Sequence, residues 1–289
     1  MAVSGGPDSL AMLLLAGSDP DRFEAATVDH ALRPESASEA AAVAAIAAKF
    51  GVEHKALGVT VPPGNLQAEA RFARYAALAA WAGERGLTAI LTAHHADDQA
   101  ETLVMRLNRA SGVSGLAGVR GRGRTPDGRA LLLRPLLHWR KTELAAVVVG
   151  AGLIAADDPS NRAERFDRAR IRAALASADW LDVPALAASA AHLADADAAL
   201  DWAAGREFAE YVRTDATGLT YRPRAPRAVA LRVIARIVAE LGEDTPRGSA
   251  LAALFDALLA GRPASVGGLV ARPLAEGWSF ARAPARRRS

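Results

Sequence analysis

The feature that most constrains this chain is its opening stretch, Ala2-Val-Ser-Gly-Gly-Pro-Asp-Ser-Leu-Ala-Met-Leu-Leu-Leu-Ala16. A short apolar strand runs into Ser4-Gly5-Gly6-Pro7-Asp8-Ser9, and an apolar helix follows at once. Gly5 and Gly6 permit a turn with positive φ and bring bare backbone close to a ligand. Pro7 suits the first helical turn, where its missing N–H costs nothing. The N–H groups opening the helix, with the hydroxyls of Ser4 and Ser9, make a seat for an anion. No lysine stands in the turn, so it is not the GxxxxGK[ST] nucleotide loop. Asp8 is free to hold Mg²⁺ beside such an anion. The plain alternative is an ordinary strand–turn–helix corner that happens to carry Gly and Ser.

Strands and helices alternate behind this corner. Strands are predicted at residues 23–28, 54–59, 88–92 and 130–133, and helices at 10–16, 35–50, 65–85 and 138–150. That alternation predicts an α/β fold with a doubly wound parallel sheet. In such sheets ligands sit beyond the carboxyl ends of the strands. Residues 118–128, rich in Gly and Arg, read either as a mobile surface loop or as a clamp on an RNA backbone. A boundary near residues 179–184 divides the chain into domains 1–182 and 183–289. The second is expected to be small and mainly helical, with helices at 185–212, 227–241 and 249–260 and short strands at 266–272 and 278–281. Only three residues precede Ser4, whereas a central strand usually runs to about five or six. The natural chain is therefore expected to begin upstream of Met1.

Composition enters mainly through what it excludes. There is no cysteine, which removes disulfides, thiolate metal sites, iron–sulfur clusters and cysteine nucleophiles. No apolar run approaches the ~20 residues needed to span a bilayer, and the amino terminus lacks the basic region of a signal peptide. A soluble cytoplasmic protein is expected. The net charge of +3 leans only weakly towards nucleic acid.

Several polar clusters fall at strand ends. Asp29-His30-Ala31-Leu32-Arg33 closes the second strand, where an acidic residue can meet a ribose hydroxyl or simply cap a helix. Arg71 and Arg74 share a helical face, as surface charges or as a clamp. The densest stretch runs from Thr92 to Arg109 and includes His94, His95, Asp97, Asp98, Glu101 and Arg106. Asp98, Glu101 and Thr102 line one side of the helix that opens there, with both histidines in the turn before it. Carboxylates in that position can also just offset the helix dipole, and the spacing matches no standard zinc pattern. Arg134-Pro-Leu-Leu137 follows the fifth strand. Asp158-Pro-Ser-Asn161 precedes Arg168 and Arg172, which share a face at i and i+4 and suit a phosphate backbone.

These spaced motifs, SGGPDS, DHALR, ARFARY, TAHHADDQAET, LNRASGVSGL, RPLL, DPSN and RARIR, resemble the tRNA(Ile)-lysidine synthetase family of the N-type ATP pyrophosphatases. The resemblance runs through the first domain and is loose in the second. It implies a PP-loop domain that adenylates the C2 oxygen of the wobble cytidine of tRNA(Ile) with a CAU anticodon. The ε-amine of L-lysine then displaces AMP. Carried onto this chain, Ser4, Gly5, Gly6, Pro7, Asp8 and Ser9 would hold ATP, with Asp8 towards Mg²⁺ and Asp29 and Arg33 bordering the nucleotide. Asp8, Asp98 and Glu101 would be catalytic, with Asp98 and Glu101 facing the lysine ammonium or the metal. Arg74, His94, His95, Arg106, Arg109, Arg168 and Arg172 would meet tRNA or lysine. The division of roles among Asp97, Asp98 and Glu101 stays open, as does a homodimer; no membrane is implied. The nearest rival, a tRNA 2-thiocytidine synthetase, shares the loop but normally depends on cysteines. A pyrophosphatase-type amidating ligase and an RNA-binding module without turnover are the other two readings.

Overall fold

The computed structural model describes residues 1–289 except 30–35, 62–65, 156–165, 216, 243–245, 247 and 284–289. His30, Arg33 and the DPSN motif therefore lie outside the described residues. The chain divides into two compact units, residues 1–194 and 195–289.

In the first unit, β1 (Glu24–Asp29) and β2 (Glu53–Gly58) pair in parallel, as do β3 (Ile90–Leu91) and β5 (Leu131–Leu133). Residues 1–3 join the two pairs. The Ala2 N–H donates to the Leu91 carbonyl at 2.9 Å, and the Val3 N–H donates to that of Ala26 at 2.9 Å. The Thr27 hydroxyl adds a bond to the Val3 carbonyl at 2.8 Å. Strand alternation sends neighbouring residues to opposite faces. Val3 and Ala25 pack with Leu10 and Leu13 of α1 (Pro7–Ala16), Val43 of α2 (Ser36–Lys49) and Leu144 of α6 (Lys141–Gly150). Ala26 packs on the other face with Ile90, Leu132 and Tyr75, Leu78 and Trp81 of α3 (Leu66–Glu84). The sheet is thus parallel and covered on both faces by helices, as the alternation predicted.

There are two local departures. β4 (Arg122–Arg124) pairs antiparallel with β5, inside the stretch predicted to be an irregular loop or clamp. It is a polar edge strand, so no apolar alternation marks it. Its turn is held by the Thr125 hydroxyl on the Asp127 carboxylate at 2.5 Å. β3 spans two residues rather than the five predicted at 88–92, although the Thr92 N–H still donates to the Leu133 carbonyl at 3.0 Å beyond its end.

α7 (Phe166–Ser177) follows, and α8 (Val183–Tyr211) carries the chain from the first unit into the second, which begins at residue 195. That unit holds α9 (Arg227–Leu241), α10 (Gly248–Leu259) and a five-stranded antiparallel sheet. The strands are β6 (Val212–Asp215), β7 (Gly218–Tyr221), β8 (Ala264–Val266), β9 (Leu269–Leu274) and β10 (Gly277–Arg282). Three of these were missed by sequence reading: β6 exposes Arg213, Thr214 and Asp215, and β8 has only three residues. Ile234, Ile237, Phe255, Trp278 and Phe280 form its core. Buried Glu207 accepts bonds from the Tyr221 hydroxyl at 3.1 Å and the Arg224 N–H at 2.7 Å. Among the described residues no helix is long and apolar enough to cross a membrane.

Candidate active site

The loop after residues 1–3 is closed on itself by Ser9. Its hydroxyl accepts the Ser4 N–H at 3.1 Å and donates to the Gly6 carbonyl at 3.0 Å. The Ser4 hydroxyl lies 3.3 Å from it. Gly5 has φ +87, a conformation that L side chains rarely adopt. Gly6 then precedes α1, whose N-terminus carries Pro7 and no side-chain cap. The first-turn N–H groups are left to a ligand, which is what an anion seat requires. A cleft of about 320 Å³ opens beside Gly5, bounded by Leu10, Val43 and Ile46.

α4 (Ala96–Leu107) starts across from this loop, and His95 is its N-cap. His95 Nδ1 receives the Asp98 N–H at 3.4 Å, while the Asp98 carboxylate accepts the His95 N–H at 3.1 Å. That reciprocal cap leaves the proton of the neutral ring on Nε2, which faces Asp8 Oδ2 at 3.5 Å and Asp98 Oδ2 at 3.6 Å. Burial alone would lower the His95 pKa. The Asp8 hydrogen bond and the charges of Asp98, Asp8 and Asp97 outweigh it and raise the value. One buried imidazole thus ties the carboxylate of the Ser4–Ser9 loop to the helix of carboxylates. The other Asp8 oxygen, Oδ1, is buried and accepts no hydrogen bond.

Asp97 is already occupied. It takes Arg140 Nη2 at 3.1 Å, Arg140 Nε at 3.2 Å and the Lys141 N–H at 2.8 Å. Desolvation pushes its pKa up, but these donors prevail and hold it below the usual carboxylate range. Glu101 is buried, and it pairs with Arg172 Nε at 2.6 Å and Arg168 Nε at 3.4 Å. It therefore anchors α7 to α4. Asp98 differs from both: among the described residues it pairs with no arginine, and its carboxylate meets His95 alone.

His94 turns the other way. Its Nδ1 lies 3.0 Å from the Thr92 hydroxyl. Burial first, then the charges of Arg134, Arg74, Arg71 and Arg168, push its pKa down to about 3. It is a neutral ring at physiological pH. Of the remaining predicted residues, Asp29 ends β1, and Arg106 and Arg109 are exposed at the far end of α4. Neither arginine is brought to the Asp8–His95–Asp98 group.

Sequence reading missed two positioning residues. Arg140, at the N-cap of α6, holds Asp97, and nothing in its local sequence marks it. Gln99 clamps the backbone of Val119 in both directions, at 2.8 and 2.7 Å. Gly118 beside it has φ +61, and a Cβ there would collide with the Gln99 amide oxygen.

Residues 1–178 match the PP-loop domain family. The chain is 49% identical to a protein of Novosphingobium aromaticivorans named tRNA(Ile)-lysidine synthase, over 99% of this chain and 89% of that one. It is 38% identical to a protein of the same name from Zymomonas mobilis, over 100% and 89%. Among solved structures it is similar to the U34-tRNA thiolase NcsA from Methanococcus maripaludis. The TM-score there is 0.55 at 16% identity, covering 66% of this chain and 68% of the other. That likeness concerns the fold.

Proposed function

Because the chain belongs to the tRNA(Ile)-lysidine synthase family of PP-loop proteins, we propose that it uses ATP to join L-lysine to tRNA(Ile). The bond forms at C2 of the wobble cytidine of the CAU anticodon. The observation that supports this best is His95, whose Nε2 lies 3.5 Å from Asp8 and 3.6 Å from Asp98. A phosphate loop and an open carboxylate therefore share one small volume, where an activated base can meet an amine.

The cytidine O2 attacks the α-phosphorus of ATP; an O–P bond forms and the bond to pyrophosphate breaks. The lysine Nε then attacks C2, and the C2–O bond to AMP breaks. Loop amides and the Ser4 hydroxyl hold the phosphates without a lysine, which suits a pyrophosphate that must leave; Ser9, whose one hydroxyl proton goes to the Gly6 carbonyl, serves the ATP site by shaping the loop. The cleft beside Gly5 is wide and apolar enough for a nucleoside, and the motif that ends β1 assigns Asp29 and Arg33 to the nucleotide. The unpartnered oxygen of Asp8 fits a Mg²⁺ arriving on the phosphates, which typically needs only one or two protein carboxylates. Among the described residues no group of three His, Cys, Asp or Glu would hold a metal alone. When bound, the ion would offset the charge growing on pyrophosphate.

The attacking amine must lose a proton, which at neutral pH costs about 4–5 kcal/mol from a free pKa of about 10.4. Asp98 binds the ammonium and accepts that proton; His95 holds Asp98 and Asp8 in register. Glu101 contributes by fixing Arg168 and Arg172. Those two, with Arg74, His94, Arg106 and Arg109, are assigned to tRNA, as is the domain from residue 183 onward. A cytoplasmic location follows from this substrate.

The test is pyrophosphate release with ATP alone, with tRNA, and with tRNA plus lysine, using tRNA(Ile) and the methionine tRNA that shares the anticodon. Release that requires tRNA(Ile), and lysidine only when lysine is added, supports the reading. Release indifferent to tRNA overturns it.

A further inference from the structure

Arg71 and Arg74 both approach the buried Tyr75 ring, at 5.0 and 5.4 Å from its centre. Arg134 comes to the same place from the end of β5 and donates one Nη1 hydrogen to the Arg120 carbonyl at 2.6 Å. Among the described residues none of these three guanidiniums pairs with a carboxylate. The Nε atoms of Arg74 and Arg134 are buried and bond nothing. A buried N–H without an acceptor is costly, and so is crowding like charges away from water. Burial, together with the Arg71 charge and against the influence of Tyr75, lowers the pKa of Arg134. Neighbouring His94 stays neutral under the same field. The arrangement lacks a negative charge with several acceptor atoms.

We infer that Arg71, Arg74 and Arg134 form a seat for a phosphodiester of the bound tRNA. The inference rests on the tRNA-modifying function proposed above and gives that function its anchor on the RNA backbone. An oxyanion is the ligand class that satisfies forked guanidinium donors. The ATP phosphates have their own donors in the loop at Ser4 to Ser9. The carboxylate of lysine would need one guanidinium fork, not three cations. A phosphodiester, flanked by others along the strand, suits the surplus. The seat lies on the side of His94, whose charge environment it dominates, and His94 directly precedes the N-cap residue His95 of α4.

The test compares wild-type protein with Arg71→Gln and Arg134→Gln in filter binding of tRNA(Ile) across a salt series, alongside thermal unfolding without RNA. The expected result is a roughly ten- to hundredfold loss of tRNA affinity. The slope of log K against log salt should shrink by about 0.7 for each phosphate that is no longer neutralised. Unfolding temperature should hold or rise, because each variant relieves uncompensated charge. An unchanged slope with a lowered unfolding temperature shows a structural cluster and overturns the inference. So does an unchanged slope with a raised KM for lysine, which would assign the seat to the amino-acid carboxylate. The two proposals fail separately: wild-type pyrophosphate release without a tRNA requirement would sink the function, while the slope alone decides the seat.

Discussion

Replacing Glu101 by Gln isolates what the buried ion pair contributes. The carboxylate is 3% exposed and meets Arg172 through two atoms, at 2.6 and 3.2 Å, with Arg168 at 3.4 Å. An amide keeps one acceptor for Arg172 and turns an N–H₂ towards the other donor. Removing one partner of a fully buried pair costs about 3–5 kcal/mol. The Arg172 side chain, however, is 45% exposed, and water can take up its abandoned charge. A loss nearer a single charge-assisted bond, about 2 kcal/mol, is expected. For a unit of this size that lowers Tm by about 4–8 °C. The assay is calorimetry of Glu101→Gln, Arg172→Gln and the double variant, following the transition of the first unit. The double variant should be little worse than either single one, since the pair is lost once. Fully additive drops would refute the coupling. An unchanged Tm with a raised KM for lysine would refute the positioning role, and place Glu101 against the substrate.

Asp98→Asn should leave tRNA adenylation measurable while raising the KM for lysine roughly ten- to hundredfold; abolished pyrophosphate release would instead assign Asp98 to ATP. Asp8→Asn and Ser4→Ala should each remove adenylation and leave tRNA binding nearly intact, checked by filter binding beside pyrophosphate release. His95 has a raised pKa, so its charge stabilises the fold most fully below its unfolded value of about 6.5. That advantage is lost as pH rises through the raised folded value. The Tm difference between wild type and His95→Gln should therefore shrink with rising pH between about pH 5 and 8. Gly118→Ala should cost about 1–3 kcal/mol by denaturant unfolding, because the left-handed backbone and the Gln99 amide both oppose a side chain.

The parallel sheet and its helices were legible because apolar runs and turn residues at Gly51 and Gly86 punctuate them strongly. The meeting of Asp8 with the Asp98 stretch was legible at the level of topology, since both lie at strand ends of one sheet. What escaped is what only three dimensions decide. Asp97, Asp98 and Glu101 look equivalent in sequence, yet Arg140 takes the first and Arg172 the third, from positions 43 and 71 residues away. The strands β4 and β6 escaped for a different reason: each is short and polar, and its ladder comes from a neighbour rather than from its own pattern.

Residues 1–3 give the sheet an order of assembly. Each half can build from strand–helix–strand units whose partners lie close in the chain, whereas the seam must find Ala26 on one side and Leu91 on the other. Closing the second loop, roughly four times longer, adds only about 1 kcal/mol of entropy. It must nevertheless wait for the third strand to exist. During folding residues 1–3 therefore pair on one edge and hold the other open. The Ser4–Ser9 loop, which follows that seam and is closed by its own local bonds, gains its fixed place in the sheet only when the far half arrives. Until then the folding chain carries the loop without the strand end across from it, and the proposed nucleotide affinity should appear late, as a step.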